Sequence, residues 1–132
     1  MARQTERQKS AEFRTKLLEY AKATSRYVHY HKIADSGAGN YSQRPYDAYL
    51  VVNGRFLAIE FKQGAGKLTP RQIMARDNVL KAGGEFIVIR FMKTNVIVDN
   101  TVGIRAVFNG LTDDLFEGLI CLAGEFSRSF YS

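Results

Sequence analysis

Asp47-Ala48-Tyr49-Leu50-Val51-Val52-Asn53-Gly54-Arg55-Phe56-Leu57-Ala58-Ile59-Glu60-Phe61-Lys62 is the stretch from which the rest of the chain can be read. Asn53-Gly54 separates two runs rich in branched and aromatic residues, and it supplies the two positive-φ positions that a type I′ hairpin turn requires. Both runs are apolar at odd and even positions alike, so the hairpin is expected in the middle of a sheet, covered on each face. A two-residue turn sets the register: Val52 opposes Arg55, and Asp47 opposes Glu60. Opposed residues share a face with Cβ atoms about 5 Å apart. Lys62, two residues past Glu60, points to that same face. Two carboxylates and an ammonium thus converge at the open end of a buried hairpin.

That convergence is costly on its own. Two carboxylates about 5 Å apart repel by roughly 3 kcal/mol at an effective dielectric of about 20. A divalent cation between them removes the penalty, and an all-oxygen donor set favours Mg²⁺, with Mn²⁺ as a substitute, over zinc. The backbone carbonyl of Phe61 is a candidate further metal ligand. Lys62 is placed to orient or deprotonate the attacking water, or to stabilise charge developing on a phosphate. The plainer alternative, Asp47 in solvent and Glu60 with Lys62 as a surface pair, fits poorly with a hairpin buried on both faces.

Working outward, residues 5–24 carry Phe13, Leu17, Tyr20, Ala21 and Thr24 at helical spacing, and residues 27–33 read as a strand. Residues 35–42 form a loop by their turn chemistry. Downstream, 64–68 is a loop, and Thr69-Pro70-Arg71-Gln72 opens a helix with a capping box and proline in its first turn. Gly83-Gly84 ends that helix. Strands follow over 85–91 and 95–99, residues 101–110 stay ambiguous, and a last helix spans about 113–126 with Thr112 as its cap. Strand 55–61, helix 70–82 and strand 85–91 make a right-handed crossover, so those two strands are expected to be parallel. The fold class is therefore α/β, a central mixed sheet flanked by helices, in one domain over 1–132 with its core in about 5–100.

Pro45-Tyr46-Asp47, twelve residues, and Glu60-Phe61-Lys62 resemble the PD-(D/E)XK nuclease signature. Leu68-Thr69-Pro70-Arg71-Gln72 with Ala82-Gly83-Gly84 is similar to the virus-type replication-repair (VRR-Nuc) group, and archaeal-type Holliday-junction resolvases share the wider signature. The resemblance covers about residues 10–93. It departs from the family pattern where Gln43-Arg44 precede the proline and Tyr46 splits the Pro-Asp pair. It implies a restriction-endonuclease-like core and a metal-dependent endonuclease acting on DNA, with branched DNA such as four-way junctions as the expected substrate. Restriction-type or end-processing cleavage, and a non-cleaving DNA-binding module, are the alternatives. The resemblance further implies that Gln72 reaches the active site, which its capping role permits. It also implies a glutamate on the first helix as a further metal ligand or catalytic group. Glu12 fits the family's spacing and is the first choice. The helical wheel instead favours Glu6, about 20° from Phe13 against about 100° for Glu12.

Charge agrees with a polyanionic partner. The chain of 132 residues carries a net +6, divided as +8 over residues 1–81 (15 Lys/Arg, 7 Asp/Glu) and −2 over 82–132 (4 and 6). Each phosphate neutralised releases counterions. Arg44, Lys67, Arg71 and Arg76 flank the motif and are the expected DNA contacts. Gly64-Ala65-Gly66-Lys67 lacks the ending of a P-loop, so no nucleotide cofactor is expected. His29 and His31 share one strand face without an evident third metal ligand. Tyr27, Tyr30, Tyr41, Tyr46 and Tyr49 suit base stacking or core packing equally. The lone Cys121 excludes an intramolecular disulfide, and no apolar run suits a bilayer or a signal peptide, so a cytoplasmic protein is expected. By analogy with small nucleases of this group, a phage-encoded protein is expected. Leu115, Phe116, Leu119, Ile120, Cys121, Leu122 and Phe126 spread over more than one helical face, from which a homodimer is expected.

Overall fold

The computed structural model describes residues 5–34, 44–100, 103 and 105–121. Along them run α1 (Glu6–Ala23), β1 (His29–Lys32), β2 (Ala48–Val52), β3 (Arg55–Gln63), α2 (Pro70–Lys81), β4 (Glu85–Phe91), β5 (Val96–Asp99), β6 (Arg105–Phe108) and α3 (Asp113–Cys121). The strands form one mixed sheet in the order β1-β2-β3-β4-β5-β6. Every pairing is antiparallel except β3 with β4, which the α2 crossover makes parallel. The α/β class and the central place of the hairpin stand as read from the sequence.

The turn residues account for the hairpin register. Asn53 and Gly54 take φ values of 53° and 73°, and the ladder runs from Val52 opposite Arg55 to Ala48 opposite Ile59. That is the register a type I′ turn imposes. Ordered pairing stops at Ala48, yet Asp47 stays tied to both neighbours: its N–H donates to the Ile59 carbonyl at 3.1 Å, and its carbonyl accepts from Ile33 at 2.9 Å.

Helices cover both faces unequally. Phe13, Leu17 and Ala21 of α1 and Leu115, Phe116, Leu119 and Ile120 of α3 are buried, most of them against Leu50, Leu57, Ile59, Phe61, Ile87 and Ile89 of the sheet. On the other face α2 buries no residue completely. It rests on a smaller cluster around Ala58, Phe86 and Val88, with Phe56, Leu68 and Val79 packed beside it. Its C-terminus closes by a Schellman pair, Gly84 N–H to the Val79 carbonyl and Gly83 N–H to Leu80. A Cβ on Gly84 would stand 2.9 Å from Val79 Cγ1, so only glycine lets the chain pass so close to the helix.

One expectation needs revision, and an open one is resolved. The first strand is shorter than 27–33, because Tyr27 is 96% exposed and pairing starts at His29. The ambiguous 101–110 region contains an edge strand, β6. Four of the apolar residues of α3 from which a homodimer was expected, Leu115, Phe116, Leu119 and Ile120, are at most 1% exposed within a single chain, covered jointly by α1 and the sheet, so these four do not bear on association between copies. The broad apolar surface of α3 is thus consumed by two neighbours of its own domain. Leu122, Phe126, Tyr41 and the 35–42 loop lie outside the described residues.

Candidate active site

The open end of the hairpin assembles several of the side chains singled out from the sequence. Asp47 and Glu60 are both buried, at 5% and 4% exposure. Asp47 Oδ2 accepts the backbone N–H of Phe61 at 2.8 Å, while its Oδ1 pairs with the Arg44 guanidinium at 3.0 Å. Glu60 lies within hydrogen-bonding reach of Asp47. Burial, that hydrogen bond and the neighbouring charge raise the Glu60 carboxyl far above its ordinary range, against the lowering pull of Lys62 and Arg44. Two buried carboxyls side by side oppose each other's ionisation, and here the ion pair with Arg44 offsets the charge of Asp47. Burial beside Asp47 thus favours the protonated form of Glu60.

Gln72 contacts both the helix cap and the carboxyl pair. Its Oε1 accepts the Thr69 N–H at 2.9 Å, and its N–H donates to Thr69 Oγ1 at 3.2 Å, completing the capping box. Its Nε2 donates to Glu60 Oε1 at 3.1 Å. One amide therefore couples the start of α2 to the orientation of Glu60. Gln72→Ala should lower metal affinity or activity by about 10–100-fold and also cost about 1 kcal/mol of stability. Thr69→Ala should cost only the stability, and thermal melts beside metal titrations would separate the two effects.

A cavity of about 480 Å³ opens beside Asp47, lined also by Glu6, Ser10, Lys32, Arg44 and Phe61. The α1 carboxylate that reaches this cavity is Glu6; Glu12 is not among its lining residues. The reason is helical phase, since Glu6 precedes Phe13 by seven residues and so shares its sheet-facing stripe. Burial and the charge of Asp47 raise the Glu6 carboxyl, while Lys62, Arg44 and Lys32 pull it down. Sequence reasoning overlooked Ser10 and Lys32. Ser10 is only 2% exposed and accepts a hydrogen bond from Lys32 Nζ at 3.1 Å. A small polar residue inside the apolar stripe of α1 was the available signal.

The expected DNA-contacting cations separate. Arg44 is engaged inside the cavity, with Asp47 and with the Ile33 carbonyl at 3.3 Å, because it sits one turn before the aspartate it neutralises. Lys67 and Arg76 line a second cavity on the α2 face of the sheet, and Arg71 is exposed outside it. His29 and His31 are exposed, with ring contacts to Tyr49 at 5.8 and 5.4 Å. Tyr30 packs on Phe13, and Tyr46 and Tyr49 pack on Phe56.

Among the described residues, no three His, Cys, Asp or Glu side chains form a ready metal-binding cluster. Two carboxylates facing each other still suit a hard cation that keeps most of its shell as water or substrate oxygen, as Mg²⁺ does.

The chain matches no protein-family model and no curated protein. Among solved structures it is similar to Hjc, a Holliday junction resolvase from the archaeal hyperthermophile Archaeoglobus fulgidus. The TM-score is 0.49 and the identity 17%, covering 83% of this chain and 98% of that one. A likeness of that degree carries no argument of its own, and activity has to be read from the side chains.

Proposed function

We propose that this protein is a divalent-metal-dependent DNA endonuclease of the PD-(D/E)XK kind, hydrolysing phosphodiester bonds and preferring branched DNA such as four-way junctions. One observation carries the reading: Asp47 and Glu60 form a buried carboxyl pair at the open end of the hairpin, with Lys62 close enough to act on Glu60. A pair of this kind is unfavourable in a protein with no cation to place there. The branched substrate rests on the resemblance of the Asp47, Glu60-Phe61-Lys62 and Leu68–Gln72 motifs to the VRR-Nuc and resolvase groups.

Each residue then has a defined task. Asp47 and Glu60, with the Phe61 carbonyl, would hold Mg²⁺ or Mn²⁺, which when bound supplies Lewis-acid polarisation of the phosphate and of the attacking water. Arg44 and the Phe61 N–H fix the Asp47 carboxylate, and Gln72 fixes Glu60. Glu6 orients the water or takes up its proton; the family spacing that pointed to Glu12 yields here to the helical face. Lys62 stabilises charge developing on the phosphate as the P–O bond breaks.

The test is a labelled panel of four-way junction, flap, single strand and duplex, incubated with and without Mg²⁺ or Mn²⁺. Metal-dependent cleavage with the junction cut fastest is expected. Glu6→Gln should slow cleavage by about 10–100-fold, and Glu12→Gln should leave it unchanged. Fastest cutting of plain duplex would favour a restriction-type nuclease, and no cutting under any condition would end the nuclease reading.

A further inference from the structure

The cavity on the α2 face, about 520 Å³ in volume, gathers cations from four separate elements of the chain. Lys67 comes from the loop before α2, Arg76 from α2, Arg90 from β4 and Arg105 from β6, with the carboxylate of Asp99 among them. Arg76 also pairs with Asp77 at 3.1 Å, so four cations meet two carboxylates and an excess of +2 remains around one concavity. Like charges gathered in a recess repel one another unless an anion enters it.

The site is partly rigid. The Arg90 Nη1 donates to the Gly64 carbonyl at 2.9 Å and also to that of Gly66. Arg105 is steadied by Asp99 at 3.1 Å. Guanidinium groups held in this way present paired N–H donors that match phosphate oxygens.

Strand register places the cavity relative to the carboxyl pair. Glu60 opposes Val88, Val88 opposes Asp99, and Asp99 opposes Arg105, so one row crosses from β3 to β6. Arg90 is the cross-strand neighbour of Lys62. At the spacing of paired strands, Arg90 stands about 5 Å from Lys62 backbone to backbone, and Arg105 roughly 14 Å from Glu60. The cations therefore begin where Lys62 ends and continue along the same face.

We propose that this cavity binds a backbone phosphate of the DNA strand whose cleavable bond lies at Asp47 and Glu60, so that the strand crosses the sheet from β3 towards β6. The inference rests on the nuclease reading for its ligand. Asp99 limits the affinity by pairing with Arg105, and so keeps the cavity from holding the strand too tightly.

Fluorescence anisotropy of a labelled four-way junction in EDTA, across a salt series, tests the cavity without cleavage. Arg105→Gln and Lys67→Gln, both exposed positions, should each flatten the salt slope by about one unit. Asp99→Asn should tighten binding by about threefold at moderate salt. Lys22→Gln, an exposed change of equal charge on α1, should have the smaller effect of a remote cation. Losses at Arg105 and Lys67 no greater than at Lys22, or weaker binding by Asp99→Asn, overturn the cavity assignment. Parallel Mg²⁺ assays separate the two ideas. Normal wild-type cleavage with unaffected cavity variants removes the cavity alone, whereas the expected binding pattern without any cleavage removes the nuclease alone. A protein that neither binds nor cuts DNA removes both.

Discussion

Asp47→Asn and Glu60→Gln should each lower phosphodiester cleavage by on the order of a thousandfold or more, because several kcal/mol of transition-state stabilisation depend on a correctly held cation. Both substitutions are nearly isosteric and keep the buried backbone and Gln72 hydrogen bonds, although Asp47→Asn gives up the ion pair with Arg44. An asparagine oxygen can still accept the Phe61 N–H that Asp47 Oδ2 accepts at 2.8 Å, and a glutamine oxygen can still accept from Gln72 Nε2. Folding and junction binding in EDTA should therefore persist. Asp47→Ala is a different experiment, since it orphans a buried N–H at a cost of about 1–3 kcal/mol. Single-turnover cleavage beside circular dichroism would check the contrast, and full activity in Asp47→Asn would remove the site from the protein's chemistry.

Stability of the metal-free protein should fall as pH rises, the reverse of the usual carboxylate behaviour. The Glu60 carboxyl is raised in the fold, to about 9, chiefly by burial and then by Asp47. A raised folded value means that the native state binds more protons than the unfolded chain. Its contribution is then fully present below the ordinary glutamate range and lost as pH climbs through the folded value. Between about pH 5 and about pH 9 the slope should approach 1.4 kcal/mol per pH unit, roughly the limit for one proton. Glu6, raised by burial and by Asp47, acts in the same direction. Millimolar Mg²⁺ or Mn²⁺ should flatten the profile by taking the proton's place, and Glu60→Gln should flatten it without metal. Urea midpoints across the pH range would measure this, and an unchanged slope in Glu60→Gln would place its origin elsewhere.

The hairpin and the side chains gathered at its open end were legible in the sequence because they are local. Asn53-Gly54 dictates the turn, the turn dictates the register, and a period of two dictates which side chains share a face. Asp47, Glu60 and Lys62 were therefore fixed relative to one another before any packing was considered. Thr69, Pro70 and Gln72 started α2 for equally local reasons, and the parallel pairing of β3 with β4 followed from a crossover of permitted length and hand.

Features that depend on which surfaces meet had no such local code. Counting residues along the chain pointed to Glu12, while the phase of α1 against the sheet brought Glu6 to the cavity. The apolar breadth of α3 is the same whether a second molecule or two neighbours in one domain cover it, and only the packing shows that α1 and the sheet cover Phe116 and Leu119. The basic cavity was the least visible of all. Lys67, Arg76, Arg90 and Arg105 span 39 positions of the chain and converge only because four strands lie side by side. Composition could register an excess of positive charge, but its concentration around one recess is a property of the tertiary fold. Side chains distant in sequence become neighbours through packing alone, and no periodicity records that.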